Sequence, residues 1–135
     1  MQEVLVVDDD GIYRTIMMRV LTRAGFSVSG VQGGAEALDH LEHGTPSVVV
    51  TDILMPDMDG LELIRAIRRA GRGIGIVAIS GGGDPIFDFL PAASIFGADV
   101  TIRKPFELSA LVTAVQSLLR SRHPGLHSSS KTAKR

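Results

Sequence analysis

Four aspartates stand where they can act together. Asp8, Asp9 and Asp10 follow the apolar run Val4-Leu5-Val6-Val7, and Asp52 follows Val48-Val49-Val50-Thr51. If the two runs are neighbouring buried strands with the same direction, their carboxyl ends lie side by side and the carboxylates converge. Two carboxylates about 5 Å apart, at an effective dielectric near 20, repel by on the order of 3 kcal/mol. A third makes the patch unstable without a cation, and an all-oxygen donor set suits Mg²⁺ or Mn²⁺ better than zinc. Ser80 after Val77-Ala78-Ile79, and Lys104 after Val100-Thr101-Ile102-Arg103, bring a hydroxyl and an ammonium to equivalent positions.

The elements that must hold these groups are legible as a strand and helix alternation repeated five times. Val4–Val7, Val48–Thr51 and Ile76–Ile79 are continuous and rich in β-branched residues, as strands covered on both faces should be. Phe26–Ser29 alternates and Val100–Ile102 is short, so both are expected at the edges of the sheet. Between them the apolar residues repeat with helical period: Ile12, Ile16 and Val20; Ala35, Leu38 and Leu41; Leu61, Ile64 and Ile67. Leu108, Leu111, Val112, Val115, Leu118 and Leu119 form the stripe of a last helix, with Glu107 at its start and Arg120 and Arg122 at its end. A fourth helix is expected between Pro85 and Phe96, its start obscured by Pro91. Asp9 or Asp10 can cap the first helix and Asp59 the third, while Gly25 and Gly44 can end the first and second.

Short connections between such units predict an α/β fold: a doubly wound five-stranded parallel sheet with helices on both faces. Ligands of such sheets bind outside the carboxyl ends of the strands, where all six polar groups fall. No glycine-rich phosphate loop followed by Lys-Ser or Lys-Thr is present, and Gly81-Gly82-Gly83 reads as a pliable loop. His40 and His43 are three residues apart on a helix but have no third ligand in view, which argues against a metal site there.

At 135 residues the chain has room for one core. It has no cysteine, which excludes a disulfide framework and a thiolate metal site, and no apolar run near the roughly 20 residues that span a bilayer. The first residues lack the pattern of a secretory signal, so the cytoplasm is the expected compartment. Lys131, Lys134 and Arg135 place +3 on residues 123–135, leaving −4 on residues 1–122, a balance that speaks against nucleic-acid binding. Residues 123–135 are almost devoid of apolar side chains and are expected to be a disordered basic tail.

From Glu3 to Ser121 the sequence resembles the receiver domain of bacterial two-component response regulators. The resemblance is carried by Thr51-Asp52-Ile53-Leu54-Met55-Pro56-Asp57-Met58-Asp59-Gly60, the acid pair Asp8-Asp9, Ser80, and Gly97-Ala98-Asp99 ahead of Lys104-Pro105-Phe106. It implies a flavodoxin-like fold with strand order 2-1-3-4-5 and Asp52 as phosphoacceptor from a sensor histidine kinase or a histidine phosphotransfer protein. It also implies Mg²⁺ bound by Asp9, Asp52 and the backbone carbonyl of Leu54, with Asp8 acting through water. Lys104 would pair with Asp52 at rest, with its bond to Pro105 often cis, and Ser80 would move to the phosphoryl group. The output would be a changed surface for a downstream protein, formed by the fourth helix, fifth strand and fifth helix, which can also pair with a second copy.

Asp10, Asp57 and Asp59 read as capping or loop residues rather than ligands. The family's usual aromatic on the fifth strand is replaced by Thr101, so any switch must rest elsewhere. Leu54 and Gly82 hold the two positions from which a side chain could orient a hydrolytic water, and neither can, so a long-lived acyl phosphate is expected. The chain has no helix-turn-helix pattern. A stand-alone switch is the leading reading, with a receiver cut from a larger regulator or hybrid kinase as its alternative. A Mg²⁺-dependent phosphohydrolase with an aspartyl nucleophile would need an acid where Leu54 stands, and a module that no longer takes phosphate would not need the complete set.

Overall fold

The computed structural model describes residues 2–81 and 88–121. Five parallel strands, β1 (Glu3–Val7), β2 (Ser27–Val31), β3 (Val48–Asp52), β4 (Gly75–Ser80) and β5 (Val100–Arg103), form one sheet in the order β2-β1-β3-β4-β5. The helices are α1 (Gly11–Arg23), α2 (Gly34–His43), α3 (Gly60–Arg69), α4 (Leu90–Phe96) and α5 (Leu108–Ser121). The order places the two expected edge strands at the edges. Phe26 is not part of β2, however: its N–H bonds to the Leu21 carbonyl behind α1, and pairing with β1 begins at Ser27 and runs on to Val31.

The sheet divides the core in two. Val4, Val6, Val48, Val50, Val77 and Ile79 pack against α1 and α5, whereas Leu5, Val7, Val49, Ile76 and Ala78 pack against α2, α3 and α4. Because β1 from Val4 onward, β3 and β4 are covered on both faces, their residues stay apolar until the carboxyl ends are reached.

Two expected helix faces are corrected. On α1, Ile12 and Ile16 are exposed, and it is Met17 and Leu21 that enter the core, with Tyr13, Met18 and Val20 partly covered. The start of α1 is fixed by Asp10, whose carboxylate accepts from the N–H groups of Ile12 and Tyr13, and that phase turns the second apolar stripe inward. On α2, Ala35 is exposed and Gly34, Ala37 and Leu41 face inward. A side chain at position 34 would run into Met58, its Cβ 2.7 Å from Sδ, so the helix packs there through glycine.

The remaining punctuation agrees with the sequence. Asp59 caps α3 through the Glu62 N–H, Gly44 follows α2, and Gly25 leaves α1 at φ +103°. Pro91 falls in the first turn of α4, where its missing N–H costs nothing. The expectations that concern Gly82, Gly83, Pro85, Arg122 and residues 123–135 lie outside the described residues. No helix among those described is long and apolar enough to cross a membrane.

Candidate phosphoacceptor and metal site

The register of the central strands assembles the site. Val7 pairs with Thr51, so Asp8 and Asp52 leave the sheet side by side. Asp52 in turn pairs with Ile79, and Ser80 with Arg103, which sets Ser80 and Lys104 on the next two strand ends. The Lys104 N–H donates to the Ser80 carbonyl at 2.8 Å, and the peptide bond from Lys104 to Pro105 is cis. Below Asp52 the chain returns tightly: the Gly60 N–H donates to the Ile53 carbonyl at 2.7 Å. A Cβ on Gly60 would meet the Asp52 carbonyl oxygen and lie 2.7 Å from Ile53 Cα. Only glycine fits that approach, and through it the start of α3 braces the end of β3.

Carboxylate oxygens of Asp8, Asp9 and Asp52 lie within 4.8 Å of one another. Asp8 is fully buried, Asp52 is 6 % exposed and Asp9 faces solvent. One Asp8 oxygen accepts from the Asp10 N–H at 3.0 Å. The Lys104 ammonium stands 3.5 Å from the other and 3.3 Å from Asp52 Oδ1. These contacts are long for charge-assisted hydrogen bonds, and among the described residues Asp8 Oδ2 and Asp52 Oδ1 are buried without a hydrogen-bond partner. Ser80 is buried beside them.

The electrostatics follow from that burial. Loss of water, reinforced by the charges of Asp8 and Asp9, outweighs Lys104 and pushes the Asp52 carboxyl up to about 6. Burial likewise raises Asp8, against the opposing pull of the Asp10 N–H and Lys104. Burial alone would lower Lys104, but the Asp52 and Asp8 charges prevail and hold it above its ordinary value. One ammonium therefore does not balance three carboxylates, and the orphaned oxygens are what a hard divalent cation would satisfy.

The other candidates occupy quieter places. Asp10 caps α1 and Asp59 caps α3. Asp57 is exposed in the loop after β3 at φ 69°. His40 Nε2 lies 3.3 Å from the Glu3 carboxylate and His43 Nδ1 lies 3.0 Å from the Asp39 carbonyl oxygen, both away from the acidic cluster. Leu54 is half-exposed and carries no polar side-chain atom. Thr101 is half-buried in β5, in register with Ala78.

Two neighbours of the site escaped the sequence reading. The Tyr13 ring lies over Lys104, 4.0 Å from Nζ to the ring centroid, and Arg14 donates to the Asp8 carbonyl at 2.6 Å. No local pattern could have found the first, since α1 and the end of β5 meet only in three dimensions.

A response regulator receiver domain model matches residues 4–116. The chain therefore belongs to the response regulator receiver domain family. It is 37 % identical over 121 residues to response regulator MprA of Mycobacterium sp. (strain KMS), and 36 % identical over 121 residues to MprA of Mycobacterium avium (strain 104). Each match covers 90 % of this chain and 52 % of the relative, so the chain spans about half the length of these curated relatives. Among solved structures it resembles FixJ-N, with a TM-score of 0.79 and 32 % identity over 87 % of this chain and 93 % of the other. The chemotaxis protein CheY4 of Vibrio cholerae superposes with a TM-score of 0.78 and 28 % identity, over 87 % and 98 % of the two chains.

Proposed function

We propose that Asp52 accepts a phosphoryl group from a phosphohistidine of a sensor histidine kinase or a histidine phosphotransfer protein. The observation that carries this reading is the setting of Asp52: a buried carboxylate on a strand end, between Asp8 and Lys104, with an oxygen that no hydrogen bond satisfies. The Asp52 oxygen forms a bond to phosphorus as the bond from phosphorus to the donor imidazole nitrogen breaks, and that nitrogen takes up a proton. The product is an acyl phosphate.

Asp9, Asp52 and the backbone carbonyl of Leu54 are the groups assigned to Mg²⁺ or Mn²⁺, with Asp8 acting through a water. Such an ion supplies neutralising charge to the phosphoryl oxygens, most of what phosphoryl transfer asks of a protein. Lys104 exchanges its contact with Asp52 for one with a phosphoryl oxygen. The Ser80 hydroxyl turns to another, and because the Ser80 carbonyl accepts from the Lys104 N–H, the ends of β4 and β5 move together. In this way the domain assists its own phosphorylation and dephosphorylation.

The output is a protein-binding surface on α4, β5 and α5, for a downstream target or a second copy of the chain, in the cytoplasm. Residues 1–122 form the receiver and residues 123–135 a basic tail. The chain acts as a stand-alone switch or as the receiver part of a larger regulator.

The test is the intact mass after treatment with acetyl phosphate and Mg²⁺. Wild type should gain one phosphate and Asp52→Asn none; an adduct on neither, under conditions that label another receiver, would overturn the proposal. Because Leu54 has no polar group to orient water, the adduct should persist well beyond seconds after the donor is removed. Complete decay within seconds would contradict that part.

A further inference from the structure

The Lys104 ammonium has three N–H bonds and two carboxylate neighbours, at 3.3 and 3.5 Å, neither in a directed hydrogen bond. Long ion-pair contacts attract but do not orient, and a lysine stem has four rotatable bonds. The remaining side of the ammonium is closed by the face of Tyr13, 4.0 Å from Nζ. At that distance the negative face of the ring attracts the cation, more strongly for a side chain only 15 % exposed. Tyr13 is itself held in place. Its ring lies 5.9 Å from that of Phe106, two residues beyond Lys104, and its N–H donates to the Asp10 carboxylate at the start of α1.

We infer that Tyr13 is a positioning residue for phosphoryl transfer: its ring holds the Lys104 ammonium against the Asp52 carboxylate, in the place where a phosphoryl oxygen arrives. The inference rests on the phosphoacceptor reading of Asp52. The ring acts by its π face, so the hydroxyl is dispensable. It also gives the site an aromatic partner on α1, on the far side of the sheet edge from Thr101.

The sequence contains a single tyrosine and no tryptophan, so Tyr13 can be observed without labelling. Two measurements decide the matter. In the first, NMR of the metal-free protein should show the Lys104 Hε protons shifted upfield by the ring in wild type and Tyr13→Phe, and not in Tyr13→Leu. In the second, phosphorylation by acetyl phosphate with Mg²⁺ should be about fivefold slower in Tyr13→Leu and near the wild-type rate in Tyr13→Phe. In a Lys104→Ala background, Tyr13→Leu should cause no further loss, whereas a merely structural role of the ring would persist there.

A wild-type rate in folded Tyr13→Leu, or an equal loss with and without Lys104, overturns the inference. So does the absence of an upfield shift in wild type, which decides the question alone if Tyr13→Leu fails to fold. If wild type takes up no phosphate while the upfield shift is present, the phosphoacceptor reading fails and the placement of Lys104 by Tyr13 stands. Tyrosine emission should also change when wild type is phosphorylated, as the phosphoryl group joins the Lys104 ammonium beside the ring, and an unchanged spectrum counts against the inference.

Discussion

The two ends of the sheet treat charge in opposite ways. At the amino end Arg68 donates to the Gly97 carbonyl at 2.9 Å, the Ile74 carbonyl at 2.7 Å and the Asp99 carboxylate at 2.8 Å, and Asp99 also accepts from the Ile76 N–H. Glu3 accepts from the Ser29 hydroxyl and meets His40. At the carboxyl end Asp8 and Asp52 are more deeply buried, yet each leaves an oxygen unsatisfied, and the one lysine beside the three carboxylates meets only two of them. A polar group that is both buried and paired holds a fold together; one that is buried and unpaired costs stability and persists where a ligand completes it. The amino end is thus a fastening and the carboxyl end a receptacle.

Substitutions at the two ends should therefore change stability with opposite sign. Arg68→Ala removes three hydrogen bonds, among them the charged one to Asp99, and should destabilise the protein by on the order of 3 kcal/mol in urea unfolding. The phosphorylation rate of the folded fraction should be unchanged. A stability loss below about 0.5 kcal/mol would place Arg68 among ordinary surface ion pairs and remove the contrast.

Asp52→Asn should do the reverse. The carboxyl of Asp52 is raised from 3.8 to about 6, so between those values the folded state binds a proton that the unfolded state has released. Stability of the metal-free protein must then fall as pH rises through that window and level off above it. The corresponding ceiling is about 3 kcal/mol, and since Lys104 loses a partner in the variant, a gain on the order of 2 kcal/mol at pH 7 is expected. The gain should vanish below pH 4. A variant less stable than wild type at pH 7 would show that Asp52 is part of the fastening after all.

Glu3→Gln gives the smallest effect. Glu3 and His40 are each about a third exposed, and the amide can still accept from Ser29, so the change should stay below about 1 kcal/mol. A larger loss would mean that the amino end depends on charge as well as on hydrogen bonding.

Much of this contrast is written in the sequence, unevenly. Val48–Thr51 and Ile76–Ile79 can hardly be anything but covered strands, and the polar residue after each can only be at a rim. Asp10, Asp59 and Gly44 also act locally, through N–H groups two or three residues away or the last turn of a helix, and so can be read locally. The face of α1 is different, because Ile12 and Ile16 repeat with the same helical period as Tyr13, Met17 and Leu21. Only the connection from β1 decides which stripe turns inward. Gly34 belongs to the same class, since its reason is Met58, a residue from another part of the chain. Tyr13 over Lys104 and Arg68 over Asp99 are likewise contacts between distant elements, with no spacing rule to announce them. What sequence could supply was the set of polar groups that meet at the strand ends; what it could not was the packing that holds them.

The claim that the carboxyl end stores uncompensated negative charge is tested most directly by Mg²⁺ and unfolding. Mg²⁺ at one hundred times its dissociation constant should stabilise wild type by about 2.7 kcal/mol at pH 7. The same concentration should do markedly less for Asp52→Asn, which is already relieved of one charge. Equal stabilisation of the two proteins, or none of either, would contradict the account.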